Sequence, residues 1–397
     1  MCSVKIVQFG LCHSPNLGDG VIAECLAHGL RARAPGAEVV HVDISGRQAR
    51  GATTIRNRRL VLAVLEALPR PLRHALARRR LNAMIDGVEG RWRAAARADL
   101  AVIGGGQLFS DANLNFPVKI GRAAGMIAEA GTPLAVHAVG VSRNWSAEGT
   151  ALFAKVLGCD LRMVGCRDAA SAEAWRAQMP GGPAPCLTAD PGLLAADCYG
   201  APGDAPRGIG LCITDFALLA HHADQDIAGG AAGPAFYGSL AAALAGAGHE
   251  VTLFTNGAAE DEAELARLAR SAALAPLLSA GQVRIAPAAA SPAALARRIA
   301  GFEAVIAHRL HACILAYSYG RPIVGLGWDR KLQAFFGSVG LEGSFSADAA
   351  IDGAGVVRMV DAALAAGIAP EAHAKAIAAA WDGVDALLAC VSPPGAG

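Results

Sequence analysis

Arg309 and His311, two positions apart in EAVIAHRLHACILAYSYGRPIVGLGWDRK (303–331), are the side chains of this chain best suited to act on an anion. A guanidinium offers a planar fork of donors that grips carboxylate or phosphate, and an imidazole exchanges a proton near neutral pH. Together they suggest a substrate that is anionic and must be protonated, although Arg309 in a structural ion pair would leave the same trace. Further groups are RDAAS, which places Arg167 and Asp168 at a strand end with Ser171 following, and NLGDG, which places Asn16, Gly18 and Asp19 at a Gly-rich turn. A third is GGGQLFSD, in which Gly104, Gly105 and Gly106 precede Asp111. A second arginine would complete a clamp for a doubly charged small anion. Asp111 is a candidate base or hydroxyl-binding carboxylate, or else a loop cap, and Asp19 is its alternative, or else a helix N-cap. Lys331 and Asp329, after the last main strand, are candidates for the same crevice, or else for a surface or capping role.

These groups need a scaffold that aims strand ends at a ligand. The run 304–307 reads as a buried strand, 310–319 as a helix and 322–326 as a second strand after the Gly320 stop, which makes a βαβ unit. Its helix N-terminus carries unpaired N–H groups and about half a positive charge, a natural seat for an anion. The alternation recurs along the chain. Strands are expected at 4–9, 38–44, 100–103, 133–139, 161–166 and 186–188, then at 209–214, 250–255, 282–286, 303–307 and 322–327. Helix-separated strands of this kind form parallel sheets, so two doubly wound, Rossmann-like α/β domains facing across a cleft are expected. The Pro- and Gly-rich segment 198–208 reads as the linker, giving domains 1–204 and 205–370, and a helix at about 371–390 is expected to pack back on the first.

Composition limits the function classes. A chain of 397 residues, 53% hydrophobic and 17% charged, is long enough for two buried cores and is not a disordered chain. A net charge of +1 gives no global sign of nucleic-acid binding. The ten cysteines include no C-x-x-C pair, so no zinc site or redox motif is indicated. VKIVQFG at 4–10 reads as a first strand and not a leader, and no apolar run reaches the length of a membrane span, so a cytoplasmic protein is expected.

Taken in order, N-x-G-D at 16–19, GGG with Asp111, R-D-x-x-S at 167–171, D-P at 190–191, R-L-H at 309–311, and G-x-P followed by D-x-K at 320–331 resemble the polysaccharide pyruvyl transferase family over nearly the whole chain. The resemblance implies a fold similar to two-domain GT-B glycosyltransferases and transfer of pyruvate from phosphoenolpyruvate to sugar hydroxyls, commonly as a ketal. It implies that Arg309 and Leu310 line the phosphoenolpyruvate pocket, that Arg167 is a second anion ligand and that His311 is the general acid. Asn16, Asp19, Gly105, Gly106 and Lys331 complete the expected substrate-binding set, with no metal and no cofactor. The acceptor would be a sugar or a lipid-linked glycan precursor. The main rival is a glycosyltransferase or nucleotide-sugar epimerase of the same architecture; a third reading is a non-catalytic relative.

One segment is not absorbed by this reading. Residues 47–97 are rich in arginine, with Arg56, Arg58 and Arg59, then Arg78, Arg79 and Arg80, then Arg91, Arg93 and Arg97, around an apolar stretch at 60–68. It is either a solvated basic face or a peripheral contact with anionic lipid at the inner membrane surface.

Overall fold

The computed structural model of the chain describes residues 4–51, 69–216, 234–327, 330–348 and 350–391. The chain divides into two compact units: 1–14, 22–191 and 379–397 form the first, and 15–21 with 192–378 the second. The expected boundary near Ala205 thus falls inside the second unit.

Each unit is built on a six-stranded parallel sheet. In the first, β1 (Lys5–Gly10), β2 (Glu38–Asp43), β3 (Leu100–Phe109), β4 (Leu134–Val141), β5 (Leu161–Cys166) and β6 (Cys186–Leu187) lie in the order β2-β1-β3-β4-β5-β6. In the second, β7 (Ile209–Cys212), β8 (Val251–Phe254), β9 (Val283–Ile285), β10 (Ala304–Ala307), β11 (Ile323–Leu326) and β12 (Phe345–Ser346) lie in the order β12-β11-β10-β7-β8-β9. The strand order reverses between β1 and β3 in one sheet and between β7 and β10 in the other. In a doubly wound sheet these reversals open a crevice at the carboxyl ends of the strands, where ligands bind.

The helices flanking the first sheet are α1 (Leu17–Arg33), α2 (Arg70–Asp86), α3 (Glu89–Ala96), α4 (Asn115–Ala130), α5 (Ala147–Phe153) and α6 (Ala169–Gln178). Those that follow are α7 (Ala195–Tyr199), α8 (Pro234–Gly246), α9 (Ala259–Leu268), α10 (Ala275–Ser279), α11 (Pro292–Ala300), α12 (Leu310–Ser318), α13 (Arg330–Ser338), α14 (Gly353–Ala366) and α15 (Pro370–Ala389). The first turn of α1 belongs to the second unit and the end of α15 to the first. Among the described residues no single helix is long and apolar enough to cross a membrane.

Every residue of β4 and β10 is buried, because helices cover both faces of a parallel sheet and leave no polar side for alternation. The first core gathers Phe109, Phe153 and Trp175, with the Phe109 and Trp175 rings edge to face at 5.2 Å. The second gathers Tyr237, Leu240, Leu253 and Ile306. Two differences from the sequence expectation have a local cause. β3 does not stop at Ile103: Gly105 and Gly106 take φ of +77° and +75°, and the pairing with β4 shifts register between Gly106 and Phe109. The glycines carry the strand onward in a left-handed backbone open to residues without a Cβ, and the irregularity in the pairing follows them, at Gln107 and Leu108. β12 was not expected, because two residues are too few to show a period of two.

Candidate functional site

The carboxyl ends of β7, β8 and β10 assemble one constellation in the second unit. Arg309 is the N-cap residue of α12, in extended backbone (φ −87°, ψ 117°), and no side chain caps that helix. Its guanidinium is held edge-on by Asp261 in the first turn of α9: Nη2 donates to Oδ2 and Oδ1 at 2.7 and 2.8 Å, and Nε donates to Oδ2 at 3.0 Å. The Asp215 backbone N–H donates to Asp261 Oδ1 at 2.9 Å and so ties the end of β7 to the same carboxylate. Burial raises the Asp261 carboxyl above its ordinary range, against the lowering effect of Arg309. All three hydrogen bonds of the guanidinium use Nε and Nη2, so the Nη1 edge makes none among the described residues. The structural ion pair and an open donor edge therefore coexist on one side chain.

Beside Arg309, His308 is fully enclosed by aromatic rings, with Phe216, Tyr237 and Phe236 at 5.1, 5.8 and 6.1 Å. Its Nδ1 lies 3.1 Å from the Tyr237 hydroxyl, which also accepts from the Thr214 N–H at 3.1 Å. Burial, aided by the neighbouring Arg309 charge, pushes the His308 imidazole down to about 3, so it is a neutral wall of the site at physiological pH.

His311 follows in the first turn of α12 and is 9% exposed. The N-x-G-D turn comes to it. A Cβ placed on Gly18 would lie 2.6 Å from His311 Cβ and 2.8 Å from Nδ1, so only glycine permits this approach. The turn is fixed by two bonds: Asn16 Oδ1 accepts from the Gly18 N–H at 3.3 Å, and the Leu17 N–H donates to the Asn256 carbonyl, at the end of β8, at 2.8 Å. Asp19 sits in the first turn of α1, where a negative charge complements the helix dipole, and its N–H donates to the Asn16 carbonyl at 3.1 Å. Leu310, half-buried, opens α12 beside the Arg309 backbone. Lys331 lies half-buried in the first turn of α13, and Asp329 lies outside the described residues.

The first unit gathers a second constellation at the ends of β3, β4 and β5. The left-handed glycines Gly105 and Gly106 stand beside a non-glycine residue with positive φ, Ala138 at +51°, where β4 shifts register against β5. Such a backbone conformation is costly and concentrates at functional sites. Arg167, its side chain 7% exposed, donates from Nη2 to Gln107 Oε1 at 2.6 Å, and its Nε lies 3.5 Å from Asp168 Oδ2. Asp168 caps α6 by accepting from the Ser171 N–H at 2.7 Å, and Ser171 Oγ accepts from the Val141 N–H at 3.1 Å. Asp168 and Ser171 of R-D-x-x-S thus fasten the helix to the sheet, while Arg167 reaches Gln107 of β3.

Asp111 differs from the expected base. Its Oδ1 accepts from the Leu114 N–H at 2.8 Å, and its Oδ2 accepts from the Ser146 N–H at 2.9 Å and from the Ser146 hydroxyl. With both oxygens occupied by loop donors, this carboxylate clamps the β3–α4 loop to the segment that follows β4. Beside that clamp is a pocket of about 600 Å³ lined by Pro71, His74, Arg78, Trp145 and Glu148. Asp261, Asp215, Asn256 and His308 were not singled out from sequence. Asp261 lies in an acid-rich helix whose charges look solvated, and only the packing of α9 turns this one inward.

Comparison with known proteins adds a family to this geometry. A family model described as polysaccharide pyruvyl transferase matches residues 16–330. No curated protein matches the sequence. Among solved structures, a Listeria monocytogenes protein assigned as a UDP-N-acetylglucosamine 2-epimerase has a TM-score of 0.55 at 11% identity, covering 98% of this chain and 95% of that one. The UDP-GlcNAc 2-epimerase of Methanocaldococcus jannaschii has a TM-score of 0.50 at 8% identity, covering 91% and 92%. The Escherichia coli heptosyltransferase WaaC has a TM-score of 0.41 at 14% identity, covering 81% and 88%. At these identities the likeness to the two epimerases is one of fold alone: a two-domain, Rossmann-like α/β architecture.

Proposed function

The chain belongs to the polysaccharide pyruvyl transferase family, and from that premise we propose that it moves pyruvate from phosphoenolpyruvate to hydroxyls of a sugar, in a polysaccharide or a lipid-linked glycan precursor, as a ketal. The observation that carries this reading is the pair at the start of α12: a guanidinium locked by Asp261 with its Nη1 edge open, and an imidazole two positions on, in the first turn of the helix, against Gly18. The donor's negative groups are held by Arg309 and the N-terminus of α12, with Leu310 lining the same pocket.

In the proposed reaction His311, in its protonated form, gives its proton to the methylene carbon of the donor, which becomes a methyl group and leaves an oxocarbenium-like centre at C2. The oxygen of one sugar hydroxyl bonds to C2 and its proton passes to an oxygen of the donor's phosphate. A second hydroxyl then bonds to C2 as the C–O bond to phosphate breaks; its proton returns to the imidazole and phosphate leaves with the bonding pair. Fixed charges and helix dipoles at the anion contribute by being in place before the charge redistributes. Asp111 enters as the anchor of the acceptor-side loop and not as the base.

The test is the donor. Phosphoenolpyruvate is expected to raise the melting temperature of the protein and, with a panel of defined glycans, to yield one pyruvate ketal per phosphate released, read by mass spectrometry. Nucleotide release from a nucleotide sugar, with no thermal shift from phosphoenolpyruvate, would replace this reading by the glycosyltransferase or epimerase one. Gly18→Ala provides a check within the chain. The added methyl must push the imidazole aside, and a displacement of about 1 Å lowers kcat about 100-fold, with a loss of stability of about 1–3 kcal/mol. Unchanged turnover in that variant would remove the N-x-G-D turn from the site.

A further inference from the structure

Helix α2 presents two different faces. His74 and Arg78 turn toward the pocket beside Trp145, where Arg78 Nη1 meets Glu148 Oε1 at 3.0 Å and His74 Nδ1 lies 3.6 Å from Glu148 Oε2. Leu72, Leu76, Arg79 and Ala83, spaced i, i+4, i+7 and i+11, form the opposite, outward face, with Arg80 at its margin. Leu72 and Leu76 are 49% and 44% exposed, a costly position for two large apolar side chains on one helix. Arg79 and Arg80 are exposed and form no ion pair among the described residues, unlike Arg78. The helix carries Arg70, Arg73, Arg78, Arg79 and Arg80 against a single acid, Asp86, which is occupied by Arg122 at 2.9 Å. In a chain of net charge +1 this basic field is local, not a product of composition.

We propose that the outward face of α2 docks on an anionic lipid bilayer. The arginines meet the lipid phosphates while the two leucines enter the headgroup boundary, a division of labour that a polyanion without an apolar layer does not satisfy. Charge complementarity names the occupant, and the leucines favour a bilayer over nucleic acid. The proposal is independent of the donor chemistry. It gives the helix that walls the Trp145 pocket a place at the surface where a lipid-linked glycan would be presented. Arg56, Arg58, Arg59 and the apolar stretch 60–68 lie outside the described residues and are not used.

The full chain is to be sedimented with vesicles of phosphatidylcholine mixed with phosphatidylglycerol, and with phosphatidylcholine alone. Binding is expected to the mixed vesicles only, and to be released by high salt. R79E/R80E is expected to lower the partition into mixed vesicles by about tenfold or more, and L72S/L76S by about threefold or more, both with an unchanged melting temperature. No sedimentation with the mixed vesicles at low salt, or equal binding by R79E/R80E and the parent, overturns the proposal.

Discussion

Turnover by His311→Ala is expected to fall by about 10²–10⁴-fold, the usual contribution of a positioned general acid, while affinity for phosphoenolpyruvate stays within a few-fold of the parent. In the proposed reaction the imidazole delivers a proton only as the reaction proceeds, whereas the charge of the proposed donor is met by Arg309 and the N-terminus of α12 in the ground state as well. A loss confined to kcat is therefore the signature. The measurement is steady-state kinetics for turnover combined with calorimetry for donor binding. Equal losses in both would make His311 a binding group, and unchanged turnover would discard its acid role. His308, one position before Arg309, is the internal control. It is enclosed by Phe216, Phe236 and Tyr237 and held neutral, so it is suited to packing and not to proton exchange.

The second large effect belongs to the Arg309 and Asp261 pair. Both side chains are largely out of solvent, at 13% and 0% exposure, and three hydrogen bonds join them. Arg309→Ala is expected to abolish detectable donor binding and, separately, to destabilise the fold by about 3–5 kcal/mol, because it strands a carboxylate in a buried site. The stranded group has a partial escape. Burial already raises the Asp261 carboxyl, and without the guanidinium it rises further, so in the variant the carboxyl is accommodated at low pH and its penalty grows as pH rises through its folded value. Arg309→Ala combined with Asp261→Ala removes both charges and is expected to recover most of the stability but none of the binding. Urea unfolding and donor calorimetry on the two single variants and the pair form the cycle. If the double variant binds donor, Arg309 has only the structural role; if it stays as unstable as Arg309→Ala, the cost lies in packing and not in charge.

An ion pair that leaves one donor edge open explains why residue type alone could not choose between an ion pair and a substrate ligand for Arg309. Asp261 takes the Nε and Nη2 edge and fixes the plane of the guanidinium, which leaves Nη1 directed by a rigid frame. A positioned cation loses less freedom on gripping an anion than a mobile one. The partner that confers this is 48 residues away in sequence, on a helix that also carries Glu260, Glu262 and Glu264.

The local order of the chain was legible. Apolar runs ended by glycine or proline fixed the alternation of strand and helix, since a parallel strand buried on both faces must be apolar throughout, and the motifs in their order fixed the family. The strand-to-helix junction at Arg309 and His311 was legible for the same reason: the period changes there from a continuous run to a helix. What only the tertiary structure decided is where partners distant in sequence meet. Gly18 lies against His311, Asp261 on Arg309 and Ser146 on Asp111, contacts set by how helices pack on the sheets and not by any local preference. The three glycines show the limit most simply: their identity announced an unusual backbone, but only the pairing with β4 shows that β3 runs on through them and slips register beyond Gly106.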